Sequence, residues 1–210
     1  MQRYDLHSII FGITEHSDIK PTNIFEIGSL DGKSCKVLAD YFKLPDNRCY
    51  VFDANPDASS QIIQSYPNMN VYNNAVSNAT GSLTFNIDMD NVGASSLLNS
   101  SDSNRKIKKI MVDSIRMDDF ITSEQITSVD ICKLDCEGAT LEVLKSFGQN
   151  ITKLQSIQIE AEHVSMWNNQ ILYPEIKEWL EKNGFVQIIF TLLRGKQSDS
   201  FWLKKDRMLL

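Results

Sequence analysis

The stretch Asn23-Ile24-Phe25-Glu26-Ile27-Gly28-Ser29-Leu30-Asp31-Gly32-Lys33-Ser34 constrains this chain more than any other. It opens with a short apolar run, which reads as a strand buried on both faces. A loop with Gly28 and Gly32 follows, and Cys35, Leu38, Ala39 and Phe42 then fall at i, i+3, i+4 and i+7, the apolar face of a helix. Strand, glycine loop and helix form the opening of a nucleotide-binding βα unit. Glycine lets the main chain turn sharply and lets a ligand approach it. The helix start adds free N–H groups and a partial positive charge.

The spacing narrows the ligand. Glu-x-Gly-x-x-x-Gly replaces Gly-x-Gly-x-x-Gly, so the pyrophosphate cradle of dinucleotide enzymes is missing. The Gly-Lys-Ser is not preceded by Gly-x-x-x-x, so this is no P-loop. Glu26 at the strand end would repel a phosphate and suit a cationic group such as an amino-acid ammonium. A second strand, Cys49-Tyr50-Val51-Phe52, leads to Asp53, placed as the ribose-hydroxyl partner of nucleoside-binding folds. A glycine loop with a ribose acid and no phosphate cradle points to S-adenosylmethionine.

The chain has 210 residues, which fits one α/β domain over residues 1–210 with a lead-in helix within residues 1–20. A net charge of −6, with no Lys/Arg run above two residues except for the diluted Arg105-Lys106-Ile107-Lys108-Lys109, argues against a nucleic-acid partner. No stretch has the apolar length of a membrane helix. Met1 to Asp5 lacks the basic-then-apolar layout of a signal peptide. The expected location is therefore cytoplasmic. The cysteines Cys35, Cys49, Cys132 and Cys136 form no Cys-x-x-Cys and read as reduced thiols rather than a zinc site or a disulfide framework.

Taken in order, Leu6, Ile9, Ile10 and Ile13 predict a helix over 4–16 that covers one edge of the sheet. Asn55-Pro56-Asp57 ends the second strand and starts a helix near 57–66. Residues 69–77 predict a third strand, 82–87 an alternating half-exposed one, and 107–115 another. Residues 88–104 are rich in Asp, Asn, Ser and Gly, a long polar loop of the functional or mobile kind. Residues 129–134 predict a central strand and Leu141, Leu144 and Phe147 the helix after it. A strand over 156–163 and a helix over 172–182 follow. Two β-rich runs, 185–192 and 201–204, close the chain through a turn over 194–199. Alternating strands and helices give a Rossmann-like, doubly wound, mostly parallel sheet with an antiparallel edge and helices on both faces.

Ligands of such sheets bind beyond the carboxyl ends of the strands. The strand ends carry Glu26, Asp53, Asn74, Asp135, Glu137, Glu160, Glu162 and His163. Carboxylates are costly to bury unless paired or ligand-bound, so this edge reads as a polar pocket.

Glu-Ile-Gly-Ser-Leu-Asp-Gly-Lys-Ser (26–34), Val-Phe-Asp-Ala-Asn-Pro (51–56), Ala-Val-Ser-Asn-Ala-Thr-Gly-Ser-Leu-Thr-Phe (75–85), Met-Asp-Asp-Phe-Ile (117–121) and Val-Asp-Ile-Cys-Lys-Leu-Asp-Cys-Glu-Gly-Ala-Thr-Leu-Glu-Val-Leu (129–144) occur in this order. Together they resemble the FkbM family of S-adenosylmethionine-dependent methyltransferases. The resemblance implies a class I methyltransferase with a seven-stranded sheet, typically an O-methyltransferase of a sugar, polyketide or other small hydroxylated molecule. The chain departs from the family pattern where Glu26 stands for Asp, Ser29-Leu30 for Ala-Asn, and Asp53-Ala54 for Glu-Pro.

Carried over by position, the resemblance has Glu26, Gly28, Ser29 and Gly32 hold the methionine part. It puts Asp53 and Ala54 at the ribose, Asn74 and Ala75 at the adenine, and Lys133, Asp135 and Glu137 nearest the methyl group. Methyl transfer is an in-line displacement that rewards alignment and a base for the hydroxyl proton. Asp135 is the first candidate for that base and His163 the second. Ser95 and Ser96, with Glu137 and Glu160, are candidate acceptor contacts. Asp135, Glu137 and Glu160 offer the oxygen ligands Mg²⁺ favours, although no spacing demands a metal. A short chain without a cap domain leaves room for a second subunit, as a homodimer, to complete the pocket. Two readings compete: a nicotinamide-dependent dehydrogenase, and a non-catalytic domain that binds cofactor or partner.

Overall fold

The computed structural model describes residues 4–193 and 195–209. The first three residues, on which the signal-peptide reading partly rests, and Arg194 of the predicted closing turn lie outside the described residues.

In chain order, helix α1 (Tyr4–His16) precedes β1 (Ile24–Ile27), α2 (Lys33–Phe42), β2 (Cys49–Phe52), α3 (Pro56–Ser65) and β3 (Asn70–Tyr72). Three further strands follow, β4 (Ala75–Val76), β5 (Gly81–Asp88) and β6 (Ile107–Ile115). The rest is α4 (Met117–Ser123), β7 (Ile131–Leu134), α5 (Thr140–Ser146), β8 (Ser156–Glu162), α6 (Tyr173–Lys182), β9 (Phe185–Leu193) and β10 (Gln197–Lys204).

Seven strands form one sheet in the order β3-β2-β1-β7-β8-β10-β9. The first five run parallel, and β10 runs antiparallel to both β8 and β9. The antiparallel hairpin thus closes the edge by folding its last strand inward. Every residue of β1 and β7 is buried, as expected of strands covered on both faces. Strand alternation divides the apolar residues between two cores. Phe25, Ile27, Cys132 and Leu134 meet residues of α4, α5 and α6, while Ile24, Val51 and Ile131 meet those of α1, α2 and α3. Helix α1 lies tightly on β10. A β-carbon on Gly12 would stand 2.0 Å from Cε1 of Phe201.

Local chemistry sets the helix starts. Asn55 Oδ1 accepts from Asp57 N at 3.0 Å with Pro56 at the first helical position, so α3 begins where sequence placed it. The predicted third strand instead divides in two. Asn73 Nδ2 donates to the main-chain oxygens of Asp53 (3.0 Å) and Ala54 (3.3 Å), which draws the chain out of the ladder after Tyr72. Ala75–Val76 then joins a second, three-stranded sheet, β4-β6-β5. Its core is Ala54, Ala75, Phe85, Ile87 and Val112.

The loop over 88–104 carries structure that its composition hides. It has a 3-10 turn at Val92–Ala94 and two isolated bridges, Asn86 to Ser96 and Ser100 to Trp167. Among the described residues, no helix is long and apolar enough to cross a membrane.

Candidate active site

Strands β2 and β7 leave β1 on opposite sides, so a crevice opens at the carboxyl end of β1. A cleft occupies it, with about 610 Å³ of empty space when the solvent at its open mouth is included. Gly28 and Leu30 enter from the β1 loop, Asp53, Ala54 and Asn55 from the end of β2, and Asn74 and Ala75 from the link between the sheets. Asp135, Cys136 and Glu137 enter from the end of β7. The remaining wall comes from the small sheet and its loop, through Phe85, Val92, Gly93, Ser95, Ser96 and Leu97.

The floor is main chain. Gly28, at φ 77, donates its N–H to Phe52 O (2.9 Å), and Asp135 N donates to Ile27 O (3.0 Å). Leu30 holds a left-handed φ of 62. That geometry is tied down by Asp53, whose Oδ2 accepts from Leu30 N at 2.8 Å while Oδ1 accepts from Asn55 N at 2.8 Å. Burial raises the Asp53 carboxyl above its ordinary value, and these N–H bonds pull it back.

Beneath the loop, Ser29 Oγ accepts from Gly32 N (2.9 Å), and Glu26 Oε2 accepts from Cys35 N (2.9 Å) in the first turn of α2. Glu26, Ser29 and Gly32 are therefore packed below the cleft rather than among the residues that line it. Glu26 is even on β1 and points to the α1–α2 face, which sequence position at the strand end does not reveal.

The far end of the cleft is acidic. One oxygen each from Asp135, Glu137 and Glu160 lie within 4.8 Å of one another. Burial, reinforced by Asp135 and Glu162, pushes Glu137 up to about 8, against the pull of Arg105. Burial and then Asp135, Glu137, Asp199 and Glu162 push Glu160 to about 9, and burial lifts Glu162 to about 7. Glu160 Oε1 accepts from Gln197 Nε2 at 2.9 Å, and Glu162 accepts from Gln170. The Lys133 ammonium lies 3.4 Å from Asp135 and 3.9 Å from Glu26. Glu160 and Lys133 stand behind the lining residues, whereas Asp135 and Glu137 reach the cleft. Such an arrangement suits a ligand with a polar nucleoside end and a cationic end.

The family model of the methyltransferase FkbM domain matches residues 26–186. This chain belongs to the FkbM methyltransferase family. Among solved structures, a methyltransferase FkbM from Methylobacillus flagellatus KT is similar with a TM-score of 0.56 and 14% identity. The match covers 87% of this chain and 44% of that one, so the present chain spans less than half of that protein's length. A human methyltransferase 10 domain containing protein is similar at TM-score 0.49 with 11% identity, over 95% of this chain and 80% of that one. A protein in the NADB-Rossmann superfamily from Streptococcus agalactiae reaches 0.48 with 8% identity, over all of this chain and 71% of that one. No curated protein matches the chain by sequence.

Two further expectations for this FkbM-family chain meet the geometry differently. Ser95 and Ser96 do line the cleft, but their hydroxyls serve the loop. Ser95 Oγ donates to Val92 O (2.6 Å), and Ser96 Oγ donates to Glu137 O (2.6 Å). His163 is absent from the lining residues. Its ring packs tilted against Tyr173, centroids 4.9 Å apart, and shares a 3.0 Å hydrogen bond with Ser198 Oγ. It is odd where Glu160 and Glu162 are even, so strand alternation sends it toward α6. Sequence reasoning missed Leu30, Asn55, Phe85, Gly93, Leu97 and Cys136 as lining residues. The alternation over 82–87 held the signal for Phe85; nothing local marked Leu30 or Gly93.

Proposed function

We propose that the cleft binds S-adenosylmethionine and that the chain transfers its methyl group to a hydroxyl of a small acceptor, a sugar or another metabolite. The observation that carries this reading is the convergence of Gly28, Asp53 and Asp135 on one switch-point cleft. When bound, the cofactor supplies an electrophilic methyl on a sulfonium. Main chain at Gly28 and Leu30 with the Asp53 carboxylate suits the nucleoside, and Asn74 and Ala75 border the base. The acid-rich end suits the cationic end of the donor. Asp135 is the cleft-facing carboxylate beside that end, and it takes the acceptor hydroxyl's proton on an Oδ atom as the oxygen attacks. His163, turned to α6, has no part in this scheme.

The reading extends to a divalent cation at Asp135, Glu137 and Glu160, whose oxygens give the hard donor set Mg²⁺ takes. Turnover unchanged by a chelator removes that extension. A cytosolic setting fits the four free thiols.

Calorimetric titration with S-adenosylmethionine and S-adenosylhomocysteine tests the reading. Micromolar binding that is lost in Asp53→Ala supports it, and a panel of hydroxylated acceptors then seeks turnover. Binding of neither ligand by the folded wild type overturns it. Tight NAD binding instead would favour a dehydrogenase.

A further inference from the structure

Register places Glu26 of β1 directly beside Lys133 of β7 in the middle of the sheet. Both are buried, at 1% and 4% exposure. A buried ammonium costs several kcal/mol unless carboxylates accompany it. Here two flank it, Glu26 at 3.9 Å and Asp135 at 3.4 Å. Glu26 is anchored in turn by Cys35 N at the start of α2. One carboxylate would neutralise Lys133, and three apolar side chains of like volume would be as stable or more so. Stability therefore does not explain the third charged member.

Direction does. Asp135 is the member of the trio that reaches the cleft, with 36% of its side chain exposed. Glu137 and Glu160 lie beside it, with one oxygen from each of the three inside 4.8 Å. Lys133 Nζ donates to Asp135 Oδ2 at 3.4 Å, from a strand position that cannot shift without breaking the β1–β7 ladder.

We infer that Lys133 is a positioning residue for the cofactor site: anchored by Glu26, its ammonium holds the Asp135 carboxylate in place at the cleft wall for a cationic ligand end. This rests on the methyltransferase reading above. Lys133 touches no ligand in this scheme and acts through Asp135.

The test compares S-adenosylhomocysteine affinity, by calorimetry, in Glu26→Gln and in Glu26→Gln/Lys133→Met, which leaves no uncompensated core charge and so keeps the fold. Thermal melts report folding of each. The double variant is expected to bind at least tenfold more weakly than Glu26→Gln. On an Asp135→Asn background, Glu26→Gln/Lys133→Met together is expected to add less than a threefold loss, because Lys133 acts through Asp135. Equal affinity in the first comparison, or a full further tenfold loss in the second, overturns the inference. A wild type that binds neither S-adenosylmethionine nor S-adenosylhomocysteine overturns the underlying reading instead.

Discussion

The carbonyl oxygen of Asp135 stands 1.9 Å from where a β-carbon on Gly28 would lie. The first glycine of the loop is thus required by the neighbouring strand as much as by a ligand. Its left-handed φ and its lack of a side chain let the end of β7 close on the end of β1, and that closure delivers Asp135 to the cleft.

Gly28→Ala is therefore expected to destabilise the chain by ~2 kcal/mol or more, combining left-handed strain with displacement of Asp135. Urea unfolding measures the stability and calorimetry the loss of S-adenosylhomocysteine binding. A variant of wild-type stability and affinity would show that the two strand ends need not meet.

Asp53 accepts from two main-chain N–H groups, Leu30 and Asn55. Asp53→Ala leaves both without that acceptor and frees the left-handed Leu30, so cofactor affinity is expected to fall by a factor of ten or more, about 1.5–3 kcal/mol for one charge-assisted bond. Asp53→Asn keeps an oxygen for one N–H and should fall between the two. An alanine variant that binds like wild type would exclude Asp53 from the site.

Stability should decline toward high pH. Glu137 and Glu160 are raised to about 8 and about 9 from 4.5, by burial first and neighbouring carboxylates second. Between those limits the folded chain keeps protons that the unfolded chain has lost. The favourable contribution is thus complete below about pH 4.5 and lost as pH rises through about 8 to 9. Melting temperatures at a series of pH values are expected to fall across that window, and Glu160→Gln should flatten the slope. A slope of opposite sign in wild type that Glu160→Gln abolishes would contradict the burial of this acid.

His163 and Asp135 should separate cleanly. His163→Ala is expected to leave S-adenosylhomocysteine affinity within threefold of wild type, since the ring packs on Tyr173 and Ser198 away from the cleft. Asp135→Asn should weaken it by about tenfold, the loss of one charge-assisted contact. Reversed results would assign the cleft to His163.

Ser96 fastens the loop over 88–104 to the end of β7 through Glu137 O and accepts from Leu98 N at 3.0 Å. Ser96→Ala is expected to cost about 1 kcal/mol and to speed amide exchange across residues 92–98. Unchanged exchange there would show that the loop is held by its other contacts.

Much of the architecture was legible in the residues. The apolar runs ending in Glu26, Asp53 and Asp135, spaced by helical patterns, specify strands and their crossovers, because hydrophobic period and turn chemistry act over a few residues. Gly28, Asp53, Ala54, Asn74, Ala75, Asp135 and Glu137 were all readable as cleft candidates from strand ends and family motifs, and all line it. What stayed hidden depends on partners far along the chain. Asn73 divides one expected strand between two sheets by reaching back to Asp53 and Ala54. Leu30 and Gly93 both line the cleft, with the leucine Cδ2 3.6 Å from where a β-carbon on the glycine would lie.

Local pattern, then, sufficed for most of the strands, the helix starts and the edge of the sheet where the cleft opens, since propensity and periodicity are properties of neighbours in sequence. The last strand, read as 201–204 after a turn over 194–199, begins already at Gln197. Which acids face that cleft was settled by packing. Glu26 and His163 both stand at strand ends, yet the side of the sheet each faces turns one toward Lys133 and the other toward α6, and Asp135 reaches the cleft because Gly28 has no side chain to keep it out.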